Sequence, residues 1–204
     1  MIAIIDYRAG NLRSVQRALA YLDLECVITD RPDIIRNAER VIFPGVGAAG
    51  KAMETIISAG LDKVIHEVAA CGKPFLGICL GTQIILEESE EDNARCLGLI
   101  QGRARRFQDI GEKIPHMGWN TLKLKKSHPV LSGIDPDAQF YFVHSYYPDP
   151  KREDDSIATT CYGMEFTSVM ARGSIVATQF HPEKSGNPGL NILRNFARWD
   201  GRPA

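Results

Sequence analysis

The stretch Gly77-Ile-Cys-Leu-Gly81 places a cysteine where chemistry can happen. Phe75, Leu76 and Ile78 form a short apolar run that predicts a buried strand, and Leu80 to Glu87 predicts a helix leaving it, so Cys79 falls at the junction. Glycines two residues before and after give the spacing of a nucleophile elbow, in which a tight turn lifts the reactive atom above the sheet and needs room on both sides. A helix that starts at Leu80 also aims unpaired N–H groups at the sulfur, which favours the thiolate. A single cysteine beside a strand is ordinarily a small core residue; the paired glycines and the strand-to-helix switch favour a nucleophile.

Such a nucleophile needs a histidine to manage its proton and a third group to orient that histidine. Of the five histidines, His66 lies in a helical pattern at the surface, His128 precedes Pro129 in a polar turn, and His144 has no carboxylate two residues on. His116, in Pro115-His-Met-Gly-Trp-Asn120, is a binding candidate. His181 ends the apolar run Val176-Ala-Thr-Gln-Phe180, and Pro182 biases it toward an extended conformation. Residues two apart in an extended chain face the same side, so Glu183 can accept from the ring N–H. The candidate triad is Cys79, His181 and Glu183.

Pro44-Gly-Val-Gly-Ala-Ala-Gly-Lys51 invites two nucleotide readings. Gly45, Gly47 and Gly50 spell a dinucleotide fingerprint, but the acidic residues about 20 positions on, Asp62 and Glu67, fall in a predicted helix rather than at a strand end. Gly45 to Lys51 also spells a phosphate loop, but Ala52 stands where a hydroxyl should reach Mg²⁺. A glycine turn at a strand end fits a third use better: a backbone N–H pointed beside Cys79 to bind an oxyanion. Glycines on both sides also make this peptide easy to rotate, as a switch would require.

The elements that must hold these groups alternate. Ile2 to Ile5, Cys26 to Thr29, Arg40 to Phe43 and Phe75 to Ile78 read as strands; a turn at 7–11 and helices over Leu12 to Leu22, Pro32 to Ala38, Ala48 to Ala59 and Asp62 to Ala70 separate them. This order predicts an α/β fold with a mostly parallel central sheet, helices on both faces, and ligands at the carboxyl ends of the strands. After Glu87 the pattern changes. Glu87 to Asp92 reads as a solvated acidic loop, and short strands (Arg105 to Phe107, Thr121 to Leu124, Phe140 to Val143, Ile157 to Thr160, Phe166 to Ala171, Ile175 to Gln179) predict a smaller antiparallel sheet before a last helix, Asn187 to Trp199.

With 204 residues, 44% hydrophobic and 24% charged, the chain suits one domain over 1–204. A net charge of -1 predicts neither a nucleic-acid nor an anionic-membrane partner. Five cysteines without metal spacing, and an N-terminal apolar run cut short at Asp6, predict a reduced, cytoplasmic protein with no bound metal. No apolar run approaches the roughly 20 residues that a membrane helix needs.

Gly77-Ile-Cys-Leu-Gly-Thr-Gln83 together with Gln179-Phe-His-Pro-Glu-Lys-Ser-Gly186 resembles the class I (triad) glutamine amidotransferases, which hydrolyse glutamine to glutamate and ammonia. Pro44-Gly-Val-Gly47, Pro115-His-Met-Gly-Trp-Asn120 and Tyr141-Phe-Val-His-Ser-Tyr146 narrow the resemblance to the glutaminase subunits of imidazole glycerol phosphate synthases, enzymes of histidine biosynthesis, from Ile2 to the last helix. The resemblance implies that Cys79 forms a glutamyl thioester, that His181 protonates the departing ammonia, and that Glu183 orients His181. It assigns the oxyanion hole to Leu80, Val46 and Gly47, and the glutamine pocket to Gln83, Ser145 and Tyr146. It assigns contact with a (β/α)₈-barrel cyclase subunit to Asn11, Trp119, Tyr141 and Lys184, and implies no cofactor. Thr82 departs from the more usual Met, an expected change in packing that leaves the catalytic atoms alone. Two alternatives stay open: a glutaminase subunit for another acceptor, as in anthranilate or pyridoxal phosphate synthesis, and a nucleotide-binding protein using Gly45 to Lys51.

Overall fold

The computed structural model describes residues 1–8, 10–108 and 111–202; Ala9, inside the turn expected at 7–11, lies outside them. Apolar runs and amphipathic stretches alternate as β1 (Ile2–Ile5), α1 (Leu12–Tyr21), β2 (Cys26–Thr29), α2 (Pro32–Asn37), β3 (Arg40–Gly45), α3 (Ala49–Ser58), α4 (Leu61–Ala70), β4 (Phe75–Cys79) and α5 (Leu80–Ile84). α1 shows why: Leu12, Val15, Ala18 and Leu19 recur at helical spacing and all are buried. α2 opens on Pro32, whose missing N–H is harmless at a first helical position. Then follow β5 (Glu88–Ser89), β6 (Ala94–Arg95), β7 (Gly102–Arg106), β8 (His116–Thr121), β9 (Lys123–Leu124), β10 (Gln139–His144), β11 (Tyr146–Pro150), β12 (Ser156–Tyr162), β13 (Met164–Arg172), β14 (Ile175–Thr178) and α6 (Gly186–Arg198).

The central sheet has eight strands in the order β2-β1-β3-β4-β14-β13-β12-β9. The pairs from β2 through β14 are parallel and those from β14 to β9 antiparallel. Both faces of its parallel part are covered, and side chains alternate between two cores. Ile2, Ile4, Ile42, Leu76 and Ile78 join α1 and α6 on one face. Ile5, Val41, Phe43 and Phe75 join α2, α3, α4 and α5 on the other. Phe43, Phe75, Phe142, Phe180 and Phe196 are fully buried, each contributing roughly 1.5–3 kcal/mol of transfer free energy.

The registers position the site. Gly45 pairs with Cys79 across β3 and β4, and Thr178 pairs with Ile78 across β14 and β4. The glycine turn and the segment entering His181 therefore flank the sulfur at the carboxyl ends of parallel strands, where ligands bind in open α/β sheets.

The second half departs from expectation in three ways. β9, β12 and β13 extend the central sheet, while the antiparallel pair β8–β10 and a four-stranded sheet, β11-β7-β5-β6, are built from other segments. β11 holds Pro148 and Pro150, which conceal a strand in the sequence and are tolerated because it is an edge strand. The acidic run is not simply solvated either. Glu88 and Ser89 pair with β6 and β7, and three carboxylates accept backbone N–H groups: Glu87 from Gly102 (2.9 Å), Glu90 from Arg106 (2.8 Å) and Glu91 from Ala49 (2.7 Å). Among the described residues, no helix is long and apolar enough to cross a membrane.

Candidate active site

Cys79 ends β4 with φ 54° and ψ -108°, a strained conformation for a residue with a side chain. Such strain marks a tight strand-to-helix turn. Of the two flanking glycines, Gly81 is the stringent one, because a methyl group there would collide with the Phe43 carbonyl oxygen. At Gly77 the nearest atom to such a methyl is the Ala177 Cβ at 3.1 Å, a tight but softer contact. Gly81 thus lets α5 settle onto β3. α5 ends at Ile84 rather than Glu87, since Leu86 and Glu87 turn off toward β5.

His181 and Cys79 line one pocket of about 340 Å³. The His181 backbone is pinned on both sides: its N–H donates to the Tyr141 carbonyl (3.0 Å), and the Ser185 hydroxyl donates to its carbonyl (2.6 Å). Its Nδ1–H donates to Glu183 Oε1 (2.7 Å). The local reason differs from the expected one. Pro182, Glu183 and Lys184 form a 3-10 turn, so Glu183 reaches the imidazole by curling back rather than by alternation along an extended chain. At the far end of the ring, Nε2 is buried and has no hydrogen-bond partner among the described residues. Burial pulls the His181 imidazole down, but the neighbouring Cys79 sulfur and Glu183 carboxylate outweigh it and raise it to about 10.

Val46, Gly47 and Leu80, expected at the oxyanion position, and Gln83, Ser145 and Tyr146, expected at the substrate, all line the same pocket. Gly47 has φ 104°, open to glycine and costly for other residues, and Val46 beside it is 38% exposed. Gln83 is buried, its Nε2 donating to the Tyr146 carbonyl (2.9 Å) and to Gln179 Oε1 (3.1 Å). The glycine turn is not a phosphate cradle: the Ala49 N–H that opens α3 is taken by the Glu91 carboxylate, an anion already seated where a phosphate would bind. Burial holds that carboxyl above its ordinary value despite the hydrogen bond from Ala49.

The four expected partner contacts divide. Trp119 is 53% exposed and meets Tyr141 edge-on with ring centroids 5.8 Å apart, and Lys184 Nζ lies 6.0 Å from the Tyr141 centroid. Met117, also on β8, is exposed beside them. Asn11 lies apart from this group and donates from Nδ2 to Glu183 Oε1 (2.6 Å), directly behind His181.

Three residues at the site carry no role in the sequence reading. Gln179 Nε2 lies 3.9 Å from Cys79 Sγ; its signal was available, because Gln179 precedes His181 by two positions as Glu183 follows it. Glu91 lines the pocket from inside the acidic run. His144 lines it too, and its Nδ1–H donates to the Tyr146 carbonyl (2.8 Å) while Nε2 accepts from His116 Nδ1 (3.1 Å). His116, expected as a binding residue, is buried between the Phe142 and Tyr162 rings, with centroids at 4.8 and 4.0 Å, and does not line this pocket. His128, expected in a polar turn, is buried against Trp199.

The glutamine amidotransferase class-I family model matches residues 3–199, and the chain belongs to this family. Among curated relatives it is 52% identical, over 96% of this chain and 93% of the relative, to the imidazole glycerol phosphate synthase subunit HisH of Desulfovibrio desulfuricans. It is 51% identical, over 96% of this chain and 95% of the relative, to the protein of the same name from the Miyazaki F strain of Nitratidesulfovibrio vulgaris. A solved glutamine amidotransferase superposes with a TM-score of 0.72 at 18% identity, covering 97% of this chain and all of that one (100%). The structure of PurLQS from Thermotoga maritima gives 0.75 at 18% identity, covering 97% of both; at this identity the likeness is one of fold.

Proposed function

We propose that this chain is the glutaminase subunit of an imidazole glycerol phosphate synthase, acting in the cytoplasm as one domain alongside a (β/α)₈-barrel cyclase subunit. The observation that carries the proposal is one pocket holding a strained cysteine, an imidazole whose buried Nε2 has no hydrogen-bond partner among the described residues, and a glycine turn. Relatives about half identical over nearly the whole chain, all named as subunits of that synthase, support the particular acceptor.

In this reading Cys79 gives its proton to His181 Nε2, and the sulfur adds to the carboxamide carbon of glutamine. The Leu80 N–H and an N–H of the Val46–Gly47 turn stabilise the oxyanion. His181 then returns the proton to the leaving nitrogen, the C–N bond breaks, and ammonia departs from the glutamyl thioester. Water, deprotonated by His181, hydrolyses the thioester to glutamate and restores Cys79. Glu183, held in turn by Asn11, stabilises the imidazolium and fixes its tautomer. Gln83, Ser145 and Tyr146 hold glutamine, and Trp119, Tyr141 and Lys184 face the cyclase, which holds the phosphorylated acceptor and receives the ammonia.

Cys79→Ala in the assembled complex is expected to abolish glutamine-dependent synthesis and leave synthesis from ammonium salts intact. Loss of both would make Cys79 structural and overturn the reading.

A further inference from the structure

We propose that Gln179 acts directly on the nucleophile, its amide N–H held on the Cys79 sulfur by a relay of fixed polarity that begins at the Tyr146 carbonyl. The inference rests on the glutaminase reading and adds to it a residue at the reacting atom. A carbonyl oxygen can only accept, so the Gln83 atom 2.9 Å from Tyr146 O is its NH₂ group. The same NH₂ group reaches Gln179 at 3.1 Å, and the atom it meets there is an acceptor, the Gln179 carbonyl oxygen. That leaves the Gln179 NH₂ group facing Cys79 Sγ at 3.9 Å. The polarity is set at its origin: the Tyr146 carbonyl is backbone and can only accept, and Gln179, completely buried, is shut off from solvent that could pair with it instead of Gln83.

The purpose follows from the charge that appears on sulfur. When the thiol proton passes to His181 Nε2, the thiolate acquires a donor already oriented toward it, with no reorganisation needed. Apart from His181 itself and the backbone N–H groups that open α5, the other groups around the sulfur do not supply this. The Val143 carbonyl, 4.0 Å away on β10, is an acceptor; the Tyr7 hydroxyl after β1 makes no hydrogen bond to the sulfur among the described residues; His144 on β10 is held neutral, and its N–H is committed to Tyr146. Glu91 lines the pocket as a carboxyl, and Glu183 lies behind His181. The relay also commits both Gln83 N–H groups, so toward glutamine Gln83 offers its oxygen, an acceptor suited to the substrate's ammonium.

The test measures iodoacetamide alkylation of the Cys79 peptide by mass spectrometry across pH, in the full chain with its partner. Gln179→Met keeps length without a donor. Gln83→Glu leaves Gln179 in place but replaces the donor facing it with an acceptor, so that the Gln179 amide reverses and turns its oxygen to the sulfur. Both variants are expected to alkylate about ten-fold more slowly at pH 7, with the half-maximal pH moved up by about one unit and the high-pH plateau unchanged within two-fold. Ammonium-dependent synthesis, which needs no thiolate, reports that each variant still folds and docks. Unchanged pH profiles in both overturn the relay, as does a uniform fall at every pH, which is what lost packing alone produces. Failure of the glutaminase reading looks different: the parent's Cys79 takes iodoacetamide but not a glutamine-like diazo-ketone.

Discussion

Tyr7 shows what one buried side chain can disclose. Its ring packs against Phe43 with centroids 5.4 Å apart, and its hydroxyl is buried without a hydrogen-bond partner among the described residues. Burial, reinforced by the charge of Cys79, raises the phenol well above its ordinary range, so the hydroxyl stays neutral. An unpaired buried hydroxyl contributes nothing to set against its own desolvation, so Tyr7→Phe is expected to leave stability unchanged or raise it by up to about 1 kcal/mol. Urea denaturation measures this, and a loss greater than about 1 kcal/mol would mean that the hydroxyl has a partner in solution. The candidate triad could be picked out of the sequence because each member announces itself locally: glycines around Cys79, proline after His181, a carboxylate two residues on. For Gln179 the spacing from His181 was the one local hint, and for Asn11 there was none of this position, since their contacts are with groups 100 and 172 positions away.

The short α5 makes the corresponding point for an element. A five-residue helix has little stability of its own, yet it carries Leu80 and Gln83 into the pocket lining. It is fastened by tertiary contacts: Gly81 lies against the β3 backbone, and the Thr82 hydroxyl, fully buried, donates to the Thr178 carbonyl of β14 at 2.6 Å. Thr82, which in sequence is only a departure in packing, is thus a tie between the strand leading to His181 and the helix that follows Cys79. Thr82→Val keeps the shape and removes the donor, an expected cost of about 1 kcal/mol in thermal or urea unfolding. An unchanged melting curve would show that the hydroxyl does not hold the two elements together. The parallel strands were legible because burial on both faces makes them continuous apolar runs. β5, β8 and β11 were not, because acidic residues, Gly118 and two prolines conceal strands whose pairing is decided across the molecule.

For the molecule as a whole, three buried histidines set how stability responds to acid. Burial lowers His116 and His128 to about 4, and lowers His144 to about 3, with smaller contributions from His116 and His181. None of this was legible in a sequence where His128 reads as part of a polar turn. Each imidazole stays neutral in the fold but takes up a proton near pH 6.5 once unfolded. Between about pH 6.5 and 4 the unfolded chain therefore binds more protons, and stability falls as the pH drops through that window, by up to about 1.4 kcal/mol per unit for each histidine. His181 has the opposite sign: raised to about 10, it contributes stability that is complete below pH 6.5 and is lost as the pH rises toward 10. The two trends place the stability maximum near pH 6.5. His116 and His144 share a hydrogen bond and titrate as a pair, so His128, packed apart from them on Trp199, is the residue to remove. Urea denaturation at pH 7, 6 and 5 is expected to show a steep loss for the parent chain and, for His128→Gln, a slope shallower by about 1.4 kcal/mol per unit below pH 6. Identical slopes would mean that His128 titrates alike in the folded and unfolded chains, and a flat profile in both would exclude all three histidines as the source of acid sensitivity.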